Sequence, residues 1–280
     1  MDRWSARVFS PVDIEGGLEP DKYGPVVVVH PGWGKSPKRH ARLLIDLANS
    51  GFLPLGVDTR YAYADRQQPQ SQLWKQPRMV GSHNPYFKAA TTRSDNQYQY
   101  RRPTAMLDVC TRLGIGLRAY VGHSDGGRIS ALAAAADPVN TSKLVIVNGA
   151  GTGDSSNGVR RLGRSNANQI RSLLNGQDNV LERTASALGS TFYAVTHLRR
   201  TLAEKGVIQQ TDTWEHIDQL EGTGVQVTVA HAVGDELIDF EDCAAGAEDR
   251  PWINFVATEG GHNNVYEAAV RQLIIDTLKP

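Results

Sequence analysis

Short apolar runs alternate along the chain with segments whose apolar positions recur at helical spacing. The first run, Pro25–His30, is a continuous β-branched stretch of the kind that is buried on both faces of a parallel sheet. A helix is predicted after it, because Pro37 suits a first helical turn and an apolar face extends over residues 41–48. This alternation predicts an α/β fold with a mostly parallel sheet flanked by helices.

Further apolar runs predict the remaining strands of the sheet. Residues 1–24, which include the strand-like piece Ala6–Phe9, are expected to form an antiparallel edge hairpin and its loop. An amphipathic segment, Val265–Leu278, predicts a terminal helix. The later strands are expected at Phe52–Asp58, Ala119–Val121, Lys143–Val147, Val225–Val233 and Ile253–Ala257.

Two stretches depart from the alternation. The segment at about 61–102 is rich in Gln, Asn, Tyr and Arg and lacks periodicity, which predicts a long loop insertion over one end of the sheet. Surface decoration and substrate gating are equally open as its role. Residues 152–218 have a polar, helical pattern that no strand run interrupts, and we expect them to form a small helical lid. The core would then comprise residues 1–151 and 219–280.

Composition narrows the kinds of partner that the protein can have. The 280 residues are 40% hydrophobic, enough for a sizeable core, and the formal net charge of zero provides no overall field for nucleic acid or a membrane surface. No apolar run has the length of a membrane span, and Met1–Ser5 lacks the apolar core of a signal peptide. Cys110 and Cys243 are far apart and fit no metal-ligand spacing. We therefore expect a cytoplasmic protein without metal or organic cofactor; the oligomeric state is left open.

A candidate nucleophile lies where a predicted strand meets a predicted helix. The motif Gly122-His123-Ser124-Asp125-Gly126 follows the apolar run Ala119–Val121 and precedes a helical segment, Arg128–Ala136. In that context a G-x-S-x-G motif presents its serine on a sharp turn, and the glycines remove Cβ atoms that would clash. An ordinary glycine-rich turn is the alternative. His123 is expected to pack beside the site and is a candidate substrate-binding residue.

Three further groups lie at predicted strand ends, where ligands bind in open parallel sheets. They are Gly32-Trp33, Asp235 and His262, which with Ser124 give the order loop, Ser, Asp, His. In this order the chain resembles the α/β-hydrolase fold superfamily. Its nucleophile elbow, the sharp turn that carries Ser124, resembles those of serine carboxylesterases and lactonases. The resemblance extends from about Val26 to Leu278.

The resemblance implies a role for each residue. Ser124 would be the nucleophile, His262 the general base and acid, and Asp235 the residue that orients the imidazole. The backbone N–H groups of Trp33 and Asp125 would form the oxyanion hole. No metal or organic cofactor is implied.

Some assignments stay open at this level. Asp239 and Asp242 on the following helix are rivals to Asp235 as the acid. Pro31 interrupts the family's H-G motif after His30, so the first oxyanion donor is uncertain by one residue. His30 itself is expected to be structural.

The implied reaction is acyl transfer from a small-molecule substrate to water. A small to medium carboxylic ester or a lactone is the favoured substrate. A C–C bond hydrolase or an amidase on the same triad is an alternative, as is a slow-turnover ligand receptor of this fold. A nucleotide site at Gly149–Gly153 is disfavoured, because the stretch lacks the lysine of a P-loop.

Overall fold

The computed structural model describes residues 7–10, 24–59, 97–153, 204, 206–208 and 210–280. The strands within these ranges are β1 Arg7–Phe9, β2 Val26–His30, β3 Leu53–Asp58, β4 Arg118–His123, β5 Thr141–Val147, β6 Gln226–Ala232 and β7 Asn254–Thr258. The helices are α1 Ala41–Asn49, α2 Gln97–Arg112, α3 Asp125–Ala136, α4 Trp214–Asp218, α5 Phe240–Glu248 and α6 Ala268–Leu278. Short 3-10 turns lie at Pro37–His40, Pro138–Asn140 and Asn264–Tyr266.

The seven strands form one sheet in the order β1-β3-β2-β4-β5-β6-β7. Only β1 runs antiparallel to its neighbour, and the other pairs are parallel, which confirms the predicted sheet. In the centre, Val28 pairs with Leu55 on one side and with Tyr120 on the other. The carboxyl ends of β4, β6 and β7, after which the predicted site residues lie, therefore share one edge of the sheet.

The core is divided by the sheet into two apolar layers. Alternate residues of β2 enter opposite layers, with Val28 in one and Val27 in the other. Helices α2, α3, α4 and α5 contribute to the first layer, and α1 and α6 contribute to the second. Burying one such aliphatic side chain stabilises a fold by about 1.5–3 kcal/mol, so both layers hold the strand ends rigidly.

The boundaries of the two irregular stretches differ from the prediction. Helix α2 begins at Gln97, inside the predicted insertion; its polar first turns and Pro103 conceal the helical pattern in the sequence. The remainder of that insertion, 61–96, and residues 154–203 of the predicted lid lie outside the described residues. The end of the predicted lid packs in the core, because Trp214 and Ile217 are 7% and 0% exposed. Trp214 and Ile217 therefore belong to the apolar core, and the rest of the lid stays a prediction.

Two absences hold for the described part of the chain. Its helices include none that is long and apolar enough to cross a membrane. The same ranges contain no group of three or more His, Cys, Asp or Glu side chains arranged to hold a metal ion.

Candidate active site

Ser124 occupies the sharp turn between β4 and α3. Its backbone has φ 57° and ψ −126°, a conformation that costs a non-glycine residue about 1–3 kcal/mol. Three hydrogen bonds hold it there: Ser124 N–H donates to Val147 O at 3.0 Å, and Gly127 and Ala150 N–H donate to Ser124 O at 2.9 and 3.0 Å. The strained serine is thus fixed from both adjoining segments.

The motif glycines permit a close approach of backbones. A Cβ on Gly122 would lie 2.3 Å from Gly126 O, and one on Gly126 would lie 2.2 Å from His30 O. The start of α3 therefore presses on the end of β2. A Cβ on Gly32 would lie 3.1 Å from the Ser124 Cβ, so the loop that follows β2 runs directly beside the serine.

The structure brings Ser124, His262 and Asp235 into one hydrogen-bonded line. His262 Nε2 is 2.9 Å from Ser124 Oγ, and His262 Nδ1 is 2.8 Å from Asp235 Oδ2. The second oxygen of Asp235 accepts backbone N–H groups from Leu237 at 2.8 Å and Ile238 at 3.0 Å. Oδ1 is thus occupied by backbone donors, and Oδ2 is left to accept from His262 Nδ1, with His231 Nε2 farther away at 3.7 Å.

Burial and charge give the three side chains different environments. Burial raises the pKa of Asp235, but the adjacent His262 outweighs it and the pKa is lowered. The side chains of Asp235 and His262 are 0% and 5% exposed, whereas Ser124 is partly exposed. The carboxylate and the imidazole are therefore shielded from water, and Ser124 is the most exposed of the three residues.

The two rival carboxylates lie elsewhere. Asp239 is the N-cap of α5, where its Oδ1 accepts the Glu241 N–H at 3.1 Å and the Asp242 N–H at 3.4 Å. Asp242 is exposed in the first turn of that helix. Of the three aspartates, Asp235 is the one beside His262.

His123 holds the backbone of His262. Its Nε2–H donates to the His262 carbonyl at 2.8 Å, which requires the proton on Nε2. Burial lowers the pKa of His123 well below the usual value, so the ring is neutral near pH 7. Since only 2% of His123 is exposed, the structure favours a positioning contact over the predicted substrate contact.

Asn148, which no sequence motif marks, connects the end of β6 with the loop that carries His262. It is fully buried with φ 49°, a left-handed conformation that asparagine tolerates. Its Nδ2 donates to His262 O and to Asn264 Oδ1, both at 2.9 Å, and its Oδ1 accepts the Ala232 N–H at 2.8 Å. The only sequence signal is an Asn-Gly pair directly after an apolar strand.

Two polar contacts tie the loop of His262 to neighbouring loops. The His262 N–H donates to Glu236 Oε2 at 3.2 Å. Lys35, on the loop after β2, donates from Nζ to Asn263 Oδ1 at 2.8 Å. The segments on either side of the serine are therefore linked across the site.

Buried aromatic rings fill the space behind the triad. The His40 ring stacks on Tyr266 with centroids 5.3 Å apart and meets the edge of His123 at 5.7 Å. Burial lowers the pKa of His40 to about 3. His30 has the structural role expected of it, because Nε2 bonds Thr59 Oγ1 at 2.7 Å and burial lowers its pKa to about 4.

Asp125 is the first residue of α3, so its backbone N–H has no acceptor within the helix and lies at the positive end of the helix dipole. Its side chain turns away into a buried ion-pair cluster, which includes Arg102 and Arg128. Asp125 follows Ser124 directly in the chain, and Trp33 follows Gly32, which lies beside the serine; the oxyanion hole expected from their amides stays a prediction.

No family model and no curated protein sequence matches the chain. Solved structures match over almost its whole length: a bromoperoxidase from Bacillus anthracis has a TM-score of 0.64 at 14% identity, covering 92% of each chain. The enol-lactonase from Burkholderia xenovorans LB400 gives 0.64 at 16% identity, covering 98% of this chain and 95% of its own. The esterase EaEST from Exiguobacterium antarcticum gives 0.64 at 14% identity, covering 98% and 92%. The chain therefore has the α/β-hydrolase fold.

Proposed function

We propose that the protein is a serine hydrolase that cleaves small to medium carboxylic esters or lactones through an acyl-enzyme on Ser124. The observation that carries the proposal is the unbroken line from Ser124 Oγ to His262 at 2.9 Å and on to Asp235 at 2.8 Å. Esterases and an enol-lactonase among the structural neighbours support this class of reaction.

The line of side chains supports a two-step acyl transfer. His262 Nε2 accepts the proton of Ser124 as Oγ attacks the ester carbonyl, and the imidazolium returns that proton to the departing alcohol. Asp235 holds Nδ1 protonated and stabilises the positive charge that the ring acquires. Water then attacks the acyl-enzyme with His262 again as the base, releasing the acid and regenerating the hydroxyl.

The developing oxyanion needs donors that are already in place. The backbone N–H groups of Asp125 and Trp33 are the proposed pair, and losing one such donor raises the barrier by about 2.7–4 kcal/mol. The shielded positions of Asp235 and His262 support the pairing of the carboxylate with the imidazolium, because electrostatic interactions are stronger where water is excluded.

The test measures turnover on p-nitrophenyl esters from acetate to octanoate, together with labelling by a fluorophosphonate. We expect multiple turnovers in the wild type, and neither turnover nor label in Ser124→Ala. Ser130→Ala is the matched control: it deletes a hydroxyl that is 0% exposed in the same segment, and its rate should equal that of the wild type.

Three outcomes would contradict the proposal. Retained turnover in Ser124→Ala would exclude Ser124 as the nucleophile. One slow event per molecule would indicate a receptor, and turnover confined to amides or carbon–carbon bonds would replace the ester as substrate. The chain-length profile of an active wild type measures the size of the acyl pocket.

A further inference from the structure

The two residues assigned to the oxyanion hole are joined through their side chains. Trp33 Nε1–H donates to Glu204 Oε2 at 2.7 Å, and the other oxygen of Glu204 lies 2.8 Å from Arg102 Nη2. Arg102 Nη1 is 3.2 Å from Asp125 Oδ2, and Arg128 Nε is 2.8 Å from Asp125 Oδ1. We call these five residues the Arg102 cluster.

The Arg102 cluster is buried and its charges balance. The four ionic side chains are 2–4% exposed, and two guanidinium groups face two carboxylates. Burial raises the pKa of Asp125, but Arg128 and Arg102 outweigh it, so the carboxylate stays ionised with a lowered pKa. Charge-assisted hydrogen bonds in such surroundings are short, strong and directional.

The geometry of Arg102 gives the cluster its stiffness. A guanidinium is planar, and here one Nη atom holds Asp125 while the other holds Glu204. The separation of the two carboxylates is thereby set by one rigid group. Asp125 is the first residue of α3, and Glu204 accepts a hydrogen bond from the indole of Trp33. The Arg102 guanidinium therefore connects the two backbone segments on either side of Ser124.

A contribution to folding stability alone does not explain the Arg102 cluster. Replacing a buried ion network by apolar residues is often neutral or stabilising, so its presence is weak support for a purely stabilising role. Correct placement of catalytic donors, by contrast, must hold within about 0.5 Å. The contacts of the Arg102 cluster span 171 residues between Trp33 and Glu204, which a local stabilising contact does not need.

We propose that Glu204 and Arg102 are positioning residues that fix the spacing of the Trp33 and Asp125 amides in the oxyanion hole. The inference rests on the proposed hydrolase function and extends it to residues that never touch the substrate. Loosening the cluster should weaken the binding of the transition state while leaving the binding of the ground-state ester unchanged.

The variant Trp33→Phe removes the indole N–H that Glu204 accepts and retains an aromatic ring. On p-nitrophenyl butyrate we expect kcat to fall by about 10- to 100-fold with KM changed less than about twofold. Affinity for an aryl trifluoromethyl ketone, which binds as a hemiketal oxyanion on the serine, should fall by the same factor.

The matched control is Trp214→Phe. Trp214 is 7% exposed, and its indole donates to Thr152 O at 2.8 Å, so the substitution deletes an indole hydrogen bond that is buried more deeply than that of Trp33 and lies outside the Arg102 cluster. We expect a lower Tm with kcat and ketone affinity equal to those of the wild type. A role of Trp33 in stability alone would give the same pattern in both variants.

Arg102→Lys provides a second probe if Trp33→Phe fails to fold. Lysine keeps the charge but lacks the planar fork that spans both carboxylates, so kcat and ketone affinity should fall together again. An active wild type whose folded variants keep both values overturns the positioning role alone, as does a change confined to KM. A wild type that hydrolyses no ester overturns the proposed function and this inference with it.

Discussion

Strand β4 has a buried arginine–aspartate cluster at each end. The two clusters differ in how far apart their members lie in the sequence. At the amino end, Arg118 Nη2 lies 2.5 Å from Asp137, only 19 residues away, and Nη1 donates to the nearby Ile115 and Gly116 carbonyls. At the carboxyl end, Arg102 connects Asp125 with Glu204, whose partner Trp33 is 171 residues distant.

Because the two clusters differ in the sequence separation of their members, we expect damage to them to affect different properties of the protein. A cluster made from neighbouring residues closes the end of a strand, and damage to it should appear in the free energy of unfolding. A cluster whose members come from distant segments sets the relative position of those segments. Damage there should appear in kcat, because catalysis is more sensitive than folding to shifts of a fraction of an ångström.

The largest effect is expected at the acid of the triad. Asp235→Asn should lower kcat by about 10⁴, because an amide presents the wrong partner to His262 Nδ1 and favours the wrong tautomer. Steady-state kinetics on p-nitrophenyl butyrate measure this. Asp239→Asn is the control, since Asp239 caps α5 and should affect stability alone. A near-normal rate in Asp235→Asn would reassign the acid.

A smaller effect is expected where the loop of His262 is anchored. Asn148→Gly keeps a backbone compatible with φ 49° but removes the donor to the His262 carbonyl and the acceptor for Ala232. We expect kcat to fall about tenfold to 100-fold and the free energy of unfolding to fall by about 1–3 kcal/mol.

The control for that variant lies at the amino end of the sheet. Asn140 donates from Nδ2 to Asp137 Oδ1 at 3.0 Å, beside Arg118. Asn140→Gly should lower stability and leave kcat unchanged. Equal loss of rate in the two asparagine variants would contradict the distinction between the two ends of β4.

The smallest effect on rate, but a clear one on stability, is expected at His40. Its pKa is about 3 in the folded protein against an ordinary value of 6.5, because it is buried. Between these values the unfolded chain binds a proton that the folded one does not, so stability falls as the pH falls from about 6.5. Each such histidine contributes about 1.4 kcal/mol per pH unit.

His40→Phe should therefore reduce the slope of unfolding free energy against pH, between about pH 6.5 and 4, by about one proton. Urea titrations at several pH values measure this slope. His40→Gln removes the same titration with a polar side chain and should give the same change. An unaltered slope in both variants would mean that His40 binds its proton at the same pH in the folded and the unfolded chain, which would contradict the lowered pKa in the folded protein.

Much of the fold was predictable because strands in a parallel sheet are buried on both faces. Val26–His30 and Lys143–Val147 are short apolar runs rich in β-branched residues, which at that length favour strands over helices, and both lie in central strands. The order of Ser124, Asp235 and His262 at strand ends was likewise accessible, since parallel strands bring their carboxyl ends to one edge.

The supporting residues were not accessible in the same way. Glu204 and Arg102 belong to helical segments next to irregular stretches, and their partners are set by tertiary packing that no local spacing encodes. Asn148 stands in an ordinary strand-end turn; its three bonds to the loops of β6 and His262 exist only once the sheet has formed. A sequence motif such as the one around Ser124 therefore predicts candidate site residues, but it does not predict the residues that hold them in place.

At Ser124 the residue that would be best for stability differs from the residue that the proposed chemistry needs. A residue at φ 57° and ψ −126° would be glycine if stability alone decided, since glycine adopts that region freely. The hydroxyl that the proposed reaction requires can be carried only by a residue for which this conformation is strained. A search for heat-resistant variants would therefore be drawn to glycine at this position, and its most stable products would be inert.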